Sequence, residues 1–302
     1  VVGRPPQEDS GIGKLIHQIA GPAGPTSISG LHEVNAVDEA GVHPLLLAMG
    51  SERYTPYNKE QQPQELLTIA NSILGFGQMS LAKFLFIGNK HDDPSVSVYD
   101  IGQFLKHLLE RIDPERDLHF QTRTTIDTLD YSSEGLNIGS KLVVAASGKK
   151  KRSLSSTAPI DLVLCDGFSN AQVVMPGILA VTSKAFTDYP NANKEMKDLE
   201  ECLHSQITDL VGFPLIVVCD DSGMVSEDMA NFLWVTFTRN NPSHDVHGVG
   251  SSMINKHWGC SGPLIFDSRI KPHHAPALIP DPMVEKKVDS LCKQGGPLSG
   301  IV

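Results

Sequence analysis

The chain has 302 residues, 40% of them hydrophobic and 20% charged, which is the composition of a folding protein with length for one large domain or two ordinary ones. Its formal net charge of -10 argues against a nucleic-acid surface, since phosphate binding needs a basic face. No apolar run approaches the roughly 20 residues of a membrane span, no signal-peptide pattern opens the chain, and Cys165, Cys202, Cys219, Cys260 and Cys292 form no Cys-x-x-Cys pair, so reduced thiols in the cytoplasm are expected.

Val1-Val2 reads as the end of a strand and Gly3-Arg4-Pro5-Pro6 as the turn leaving it, so a start inside a longer polypeptide is expected. Asp9 to Ala20 carries Ile12, Leu15, Ile16 and Ile19 at helical spacing, stopped by the Gly- and Pro-rich segment 21–25. Within it, Gly11-Ile12-Gly13-Lys14 lacks both the preceding strand and the spacing of a phosphate loop, and reads as a helix start. Leu31 to Val37 is an expected strand. Pro44 to Met49 and Phe84 to Gly88 are continuous apolar runs, the mark of strands buried on both faces. Gln64 to Ile73 and Val98 to Ile112 have helical periods, the second with Phe104, Leu105, Leu108 and Leu109 on one side and Pro114 beyond its end.

The same order then returns. Pro44, Leu46, Leu47, Ala48, Ser51, Thr55 and Tyr57 align without a gap with Pro176, Ile178, Leu179, Ala180, Ser183, Thr187 and Tyr189. Phe84 to Ile87 aligns with Pro214 to Val217, and Asp100 to Asp117 with Asp228 to Asp245. Phe104, Arg111, Pro114 and Asp117 thereby match Phe232, Arg239, Pro242 and Asp245. Order kept across strand, helix, strand and helix indicates a tandem duplication of one α/β unit. The expected fold class is α/β: two tandem similar units, mostly parallel sheets flanked by helices. The expected division is a first unit over 1–148, a polar linker over 149–159, a second unit over 160–280 and a tail over 281–302 holding a short helix.

Three features carry a resemblance. Phe213 to Asp221 is an apolar strand ending in acids. A helix then ends in Thr238-Arg239, followed by Pro242 and Asp245. Gly3-Arg4-Pro5-Pro6, Gly139-Ser140-Lys141 and Phe266-Asp267-Ser268-Arg269-Ile270-Lys271 add to it. Together these resemble the C-terminal part of UbiD-type carboxy-lyases, with the C-terminal unit present twice. The resemblance implies a non-oxidative decarboxylase of aromatic or α,β-unsaturated carboxylic acids, using prenylated FMN with a divalent metal (Mn or Mg) and potassium. It also implies that the catalytic Glu-Arg-Glu set and the metal ligands lie in N-terminal and central domains of the same polypeptide. No catalytic and no metal-binding residue is therefore assigned here. A homo-oligomer and a small carboxylic acid substrate are the expected partners. The competing reading is a non-catalytic α/β assembly or ligand-binding module derived from that family.

The one cofactor-binding candidate is Lys184. It follows the strand Ile178 to Val181, at the strand end where open α/β sheets place ligands, and an ammonium there suits a flavin phosphate. Its structural reading is an exposed surface lysine; Glu52 stands in register in the first unit, with Arg53 beside it. Arg239 with Asp245, and Arg111 with Asp117, are read as guanidinium–carboxylate pairs holding a proline turn. Asp220 and Asp221 are read as helix-capping or solvated acids, with binding of a ligand at the strand end as the alternative. Trp234 and Phe237 are read as core, with lining of a pocket as the alternative. His244, His247, His257, Cys260, His273 and His274 are potential zinc donors, but no second Cys-x-x-Cys and no His-Glu-x-x-His completes a site.

Overall fold

The computed structural model describes residues 26–51, 62–133, 135–274 and 281–300. The expectations on Gly3 to Ala20, on Glu52 and Arg53, and on Thr55 and Tyr57 lie outside the described residues. In the first unit, β1 (Leu31–Ala36), β2 (Leu45–Gly50), α1 (Gln64–Leu74), β3 (Phe84–Asn89), α2 (Ile101–Leu109), β4 (Leu118–Thr124) and β5 (Gly139–Ala146) follow one another. The five strands form one sheet in the order β1-β2-β3-β5-β4, parallel along β2-β3-β5 and antiparallel at both edges.

The second unit repeats this plan. Its elements are β6 (Phe168–Met175), β7 (Ile178–Ser183), α3 (Tyr189–His204), β8 (Leu215–Cys219), α4 (Ser222–Glu227), α5 (Met229–Thr238), α6 (Pro242–Asp245), β9 (Val246–Gly248), β10 (Ser251–Ile254), β11 (His257–Cys260) and β12 (Leu264–Asp267). The sheet order is β6-β7-β8-β12-β9, with the same parallel centre and antiparallel edges. The expected α/β duplication is thus present as two sheets of identical topology. Among the strands of the described residues only the β10–β11 hairpin is extra, inserted between the fourth and fifth strands of the second sheet.

Local chemistry explains the helices. In α1, Leu66, Ile69, Ala70 and Ile73 recur at helical spacing and are buried. Asp100 and Asp228, aligned in the repeat, each cap their helix by accepting the backbone N–H three residues on, from Gln103 at 3.0 Å and Asn231 at 2.7 Å. Asp188 and Asp221 do the same for α3 and α4, so the capping role expected of Asp221 holds. α2 is shorter than its apolar period, Ile101–Leu109, because Asp100 fixes its start and the Pro114 turn follows its end.

Alternation along the buried strands sorts their side chains into three apolar layers. Leu46, Ala48, Leu85, Ile87 and Val143 pack under α1, and Leu179, Val181, Ile216, Val218 and Ile265 under α3. The alternate residues of both sheets, with α2 and α5, meet in one shared central core. There Phe84 of β3 lies 5.2 Å from Phe237 of α5 and 5.4 Å from Phe266 of β12, and Phe86 lies 5.7 Å from Phe237. Burying each such ring contributes about 1.5–3 kcal/mol. Phe237 is core, and its packing is what joins the two sheets.

The segment after β5 is a fastened strap. Arg152 donates to the carbonyls of Leu109 and Ile112, the backbone N–H of Ser155 to Gly212, and Leu154 packs on the core. The β10–β11 hairpin seats on the first unit: Cys260 N–H donates to the Pro114 carbonyl, and a Cβ at Gly259 would lie 2.7 Å from that same oxygen, so only glycine fits. The tail helix α7 (Pro282–Cys292) is where the sequence placed one, and it buries no residue. Among the described residues no helix is long and apolar enough to cross a membrane.

Candidate functional site

The C-terminal ends of β7, β8 and β12 lie side by side, because these strands are parallel neighbours. They bring Lys184, Asp220 and the segment Asp267 to Lys271 together, at the edge of an open α/β sheet where ligands characteristically sit. Sequence reading proposed Lys184 and weighed the two aspartates. It quoted Arg269 and Lys271 as motif residues without a role.

Arg269 is the hub, its side chain 0% exposed. Its Nε and Nη2 donate to both oxygens of Asp267, at 2.9 and 2.7 Å, and its Nη1 donates to Glu195 of α3 at 2.7 Å. Burial would raise Asp267, but the bonds and charges of Arg269 and Lys271 outweigh it, and its carboxyl falls below the ordinary range. The same carboxylates push the Arg269 pKa upward against its burial. Lys184 is ion-paired at 3.0 Å to the other oxygen of Glu195, with its side chain 60% exposed. It therefore stands at the solvent end of a relay running Asp267, Arg269, Glu195, Lys184.

Lys271, fully buried, faces Asp245 at 3.3 Å and donates to the carbonyls of Asp267, Arg239 and Arg269. Burial pushes Asp245 up to about 7, with Lys271 opposing the rise. Phe186 covers both cations: the Arg269 guanidinium lies 5.6 Å and the Lys271 ammonium 5.5 Å from its ring centre.

The expected Arg–Asp pairs across the proline turn are corrected. Arg239 pairs with Asp220 at 3.0 Å, and Arg111 with Asp92 at 3.7 Å, both acids standing just beyond the third strand of their sheets. α5 ends level with the C-terminal end of β8, which brings the guanidinium to Asp220. The turn aspartates point inward instead, where Asp245 accepts Asn241 N–H and Asp117 accepts Asp113 N–H. Trp234 lies under Arg239, 5.1 Å from guanidinium carbon to ring centre, rather than in a cleft wall.

Between the units lies a second feature, a cleft of about 580 Å³. Arg123 and Ile138 come to it from the first unit, and Tyr189, Asn241, Ser243 and His244 from the second. His244 faces the Tyr189 ring at 5.1 Å, and Phe186 meets Tyr189 edge-on at 5.2 Å, so the cleft adjoins the aromatic cover of the buried cations. Sequence reading missed Arg123, which carries no motif, and noted Tyr189 only as a position of the repeat.

The remaining donors are dispersed. His257 lies 5.3 Å from His119 with the rings tilted, His247 lies 3.8 Å from Glu200, and His273 and His274 lie by Tyr189 and Lys271. Among the described residues no group of three or more His, Cys, Asp or Glu is placed to hold a metal ion. Burial pushes the thiols of Cys219 and Cys260 up to about 12, which removes them as nucleophiles at neutral pH.

Residues 10–146 match the family model described as the 3-octaprenyl-4-hydroxybenzoate carboxy-lyase C-terminal domain. The chain is 31% identical over 288 residues to a 4-hydroxybenzoate decarboxylase subunit of Chlamydia pneumoniae, covering 95% of this chain and 45% of that protein. It is 32% identical over 291 residues to an uncharacterized protein of Chlamydia trachomatis serovar D, covering 96% of this chain and 46% of that one. The chain thus spans about half the length of the curated relatives it matches. Among solved structures, the UbiD-class enzyme HmfF from Pelotomaculum thermopropionicum in complex with FMN overlays with a TM-score of 0.33 and 10% identity, over 48% of this chain and 29% of that one. That overlay is too slight to argue from. The sequence relationship bears out the resemblance to the C-terminal part of the UbiD family.

Proposed function

We propose that this chain, which carries a UbiD-type C-terminal domain, is the C-terminal portion of a non-oxidative decarboxylase of aromatic or α,β-unsaturated carboxylic acids. The observation that carries the reading is the relationship over 95% of the chain to a decarboxylase subunit of about twice its span. In this reading the chain closes one side of a cofactor and substrate cleft completed by N-terminal and central domains, and contributes to a homo-oligomer interface. Prenylated FMN, when bound, would supply the sink for the electron density left as CO2 departs.

The residues here fit a limited part of that group. The donor set offers no metal cage among the described residues, so divalent metal and potassium belong to the upstream domains in this reading. Lys184 fits a phosphate contact. Its ammonium is on the solvent side, at a strand end, and Glu195 holds it in place without burying it. What this chain does is therefore to position a cation. Arg269 fixes Glu195, and Glu195 aims Lys184 outward.

The test compares this chain with a polypeptide extended upstream, both co-expressed with a flavin prenyltransferase, for CO2 release from a panel of aryl and acrylic acids. Activity in the extended protein alone is expected. Flavin content of the extended Lys184→Gln variant is expected to fall while folding is kept. No flavin and no CO2 from either polypeptide would instead favour a non-catalytic assembly or ligand-binding module.

A further inference from the structure

The inter-unit cleft has a chemistry of its own. In a chain of net charge -10, its wall carries the guanidinium of Arg123 and, among the described residues, no carboxylate. Arg123 itself is exposed and has no hydrogen bond or ion pair with any described residue. Its placement is built in. The β4–β5 register shifts between Gln121 and Thr124, and Arg123 sits at φ 53°, a left-handed conformation that an L side chain adopts at a cost. A bulge of this kind re-aims a side chain, here into the cleft.

The opposite wall presents an oriented donor. The buried Ser140 hydroxyl of β5 accepts Ser243 N–H at 2.8 Å and donates to Asn241 Oδ1 at 2.5 Å. That leaves the Asn241 amide nitrogen facing His244 Nδ1 at 3.2 Å as a donor. Nδ1 is then the acceptor, and the neutral imidazole carries its proton on Nε2. The chain Ser243, Ser140, Asn241, His244 crosses from one unit to the other, so the donor's orientation depends on both. Two surfaces complete the cleft: the Tyr189 ring and Ile138, which is 63% exposed.

We propose that this cleft binds a small organic oxyanion bearing a flat unsaturated ring, with Arg123 and His244 taking the oxyanion and Tyr189 and Ile138 the ring. Carboxylate and phosphate monoester share that chemistry. The site is formed by the duplication itself. It needs neither a flavin nor an upstream catalytic half, so it stands apart from the decarboxylase reading.

Isothermal titration of this 302-residue chain without flavin tests it, with benzoate, phenyl phosphate, inorganic phosphate and phenol as probes. Saturable binding of benzoate, phenyl phosphate or both is expected, and which of them saturates identifies the oxyanion. Phenol and inorganic phosphate should bind at least about tenfold more weakly. Arg123→Gln should weaken the binding about tenfold or more. Arg123→Gly should do the same while raising the melting temperature, since it releases the backbone conformation. Ile138→Ser should weaken the ring-bearing probe and leave inorganic phosphate unchanged. No saturation by either ring-bearing probe up to about 10 mM would overturn the proposal, as would unchanged affinity in both Arg123 variants. Inorganic phosphate binding as tightly as phenyl phosphate would overturn the ring contact. None of these outcomes depends on CO2 release.

Discussion

The two units share a topology and differ at one strand end. The repeat aligns Leu85 with Leu215, and these face Val143 and Leu264 on the fifth strands of their sheets. Counting on from there sets Ala146 against Asp267, Ser147 against Ser268, Gly148 against Arg269 and Lys150 against Lys271. The second unit therefore keeps a buried acid and two buried cations where the first has alanine, glycine and a lysine with a 59% exposed side chain, paired to Glu110. Even the serines diverge. Ser268 donates to the Thr236 carbonyl, whereas the buried Ser147 hydroxyl has no hydrogen-bond partner among the described residues. What both units retain is the scaffold: the helix-capping aspartates, the Arg–Asp pair beyond the third strand, and the inward turn aspartate. Duplication preserved what folds each unit and kept the buried charge relay in one. That difference is the physical reason for looking for function at the second sheet.

The sharpest way to break this comparison is at Arg269. Arg269→Ala leaves Asp267 and Glu195 facing each other without their cation, and should cost about 3–5 kcal/mol in urea unfolding. Lys150→Ala at the matching place in the first unit should cost no more than about 0.5 kcal/mol. Equal effects would mean that the relay is not special to the second unit. Next comes the shared core. Phe237→Ala should cost about 3–5 kcal/mol, and unfolding should stay a single transition followed by either unit's signals. Two separate transitions in the wild type would show that the sheets are independent.

A pH series sharpens the comparison further. Burial raises Asp245 to about 7, so between roughly pH 4 and that value the folded chain holds a proton that the unfolded chain has released. The stability this group contributes is present below about pH 4 and is lost as pH rises through about 7. The advantage of the wild type over Asp245→Asn should therefore shrink as pH increases. Burial also raises Asp117, its counterpart, with Arg116 opposing, and Asp117→Asn should show the same sign. An advantage that grows with pH would show Lys271 holding Asp245 ionised. The smallest effect is expected at Lys184. Its ion pair is largely solvated, and Lys184→Gln should change stability by less than about 0.5 kcal/mol, so a loss of flavin in the extended protein would not be a folding effect.

Much of the fold was legible because buried parallel strands write themselves as continuous apolar runs, as at Pro44 to Met49 and Phe84 to Gly88. Helix α1 was legible from the period of Leu66, Ile69 and Ile73, whereas α3, α4 and α6 were not read, and the duplication was legible from residues kept in order. The edge strands β4, β6 and β9 and the β10–β11 hairpin were not, because half-exposed strands lack an apolar run. The turn residues Arg239 and Asp245 were picked out correctly as structural, but paired with the wrong partners. Six positions of separation says nothing about which way each side chain turns once a helix ends and a strand begins.

By itself, then, the sequence determined the class of fold, the repeat and the resemblance to a family, since periodicity and residue order are local properties of the chain. Only the tertiary structure decided that the two sheets share one core and that Arg269 ties Asp267 to Glu195 and so to Lys184. It also decided that Ser140 orients His244 by holding Asn241, a residue 101 positions further along the chain. Those contacts join distant segments, and their energies come from burial and low local dielectric, which no single segment carries in its own residues.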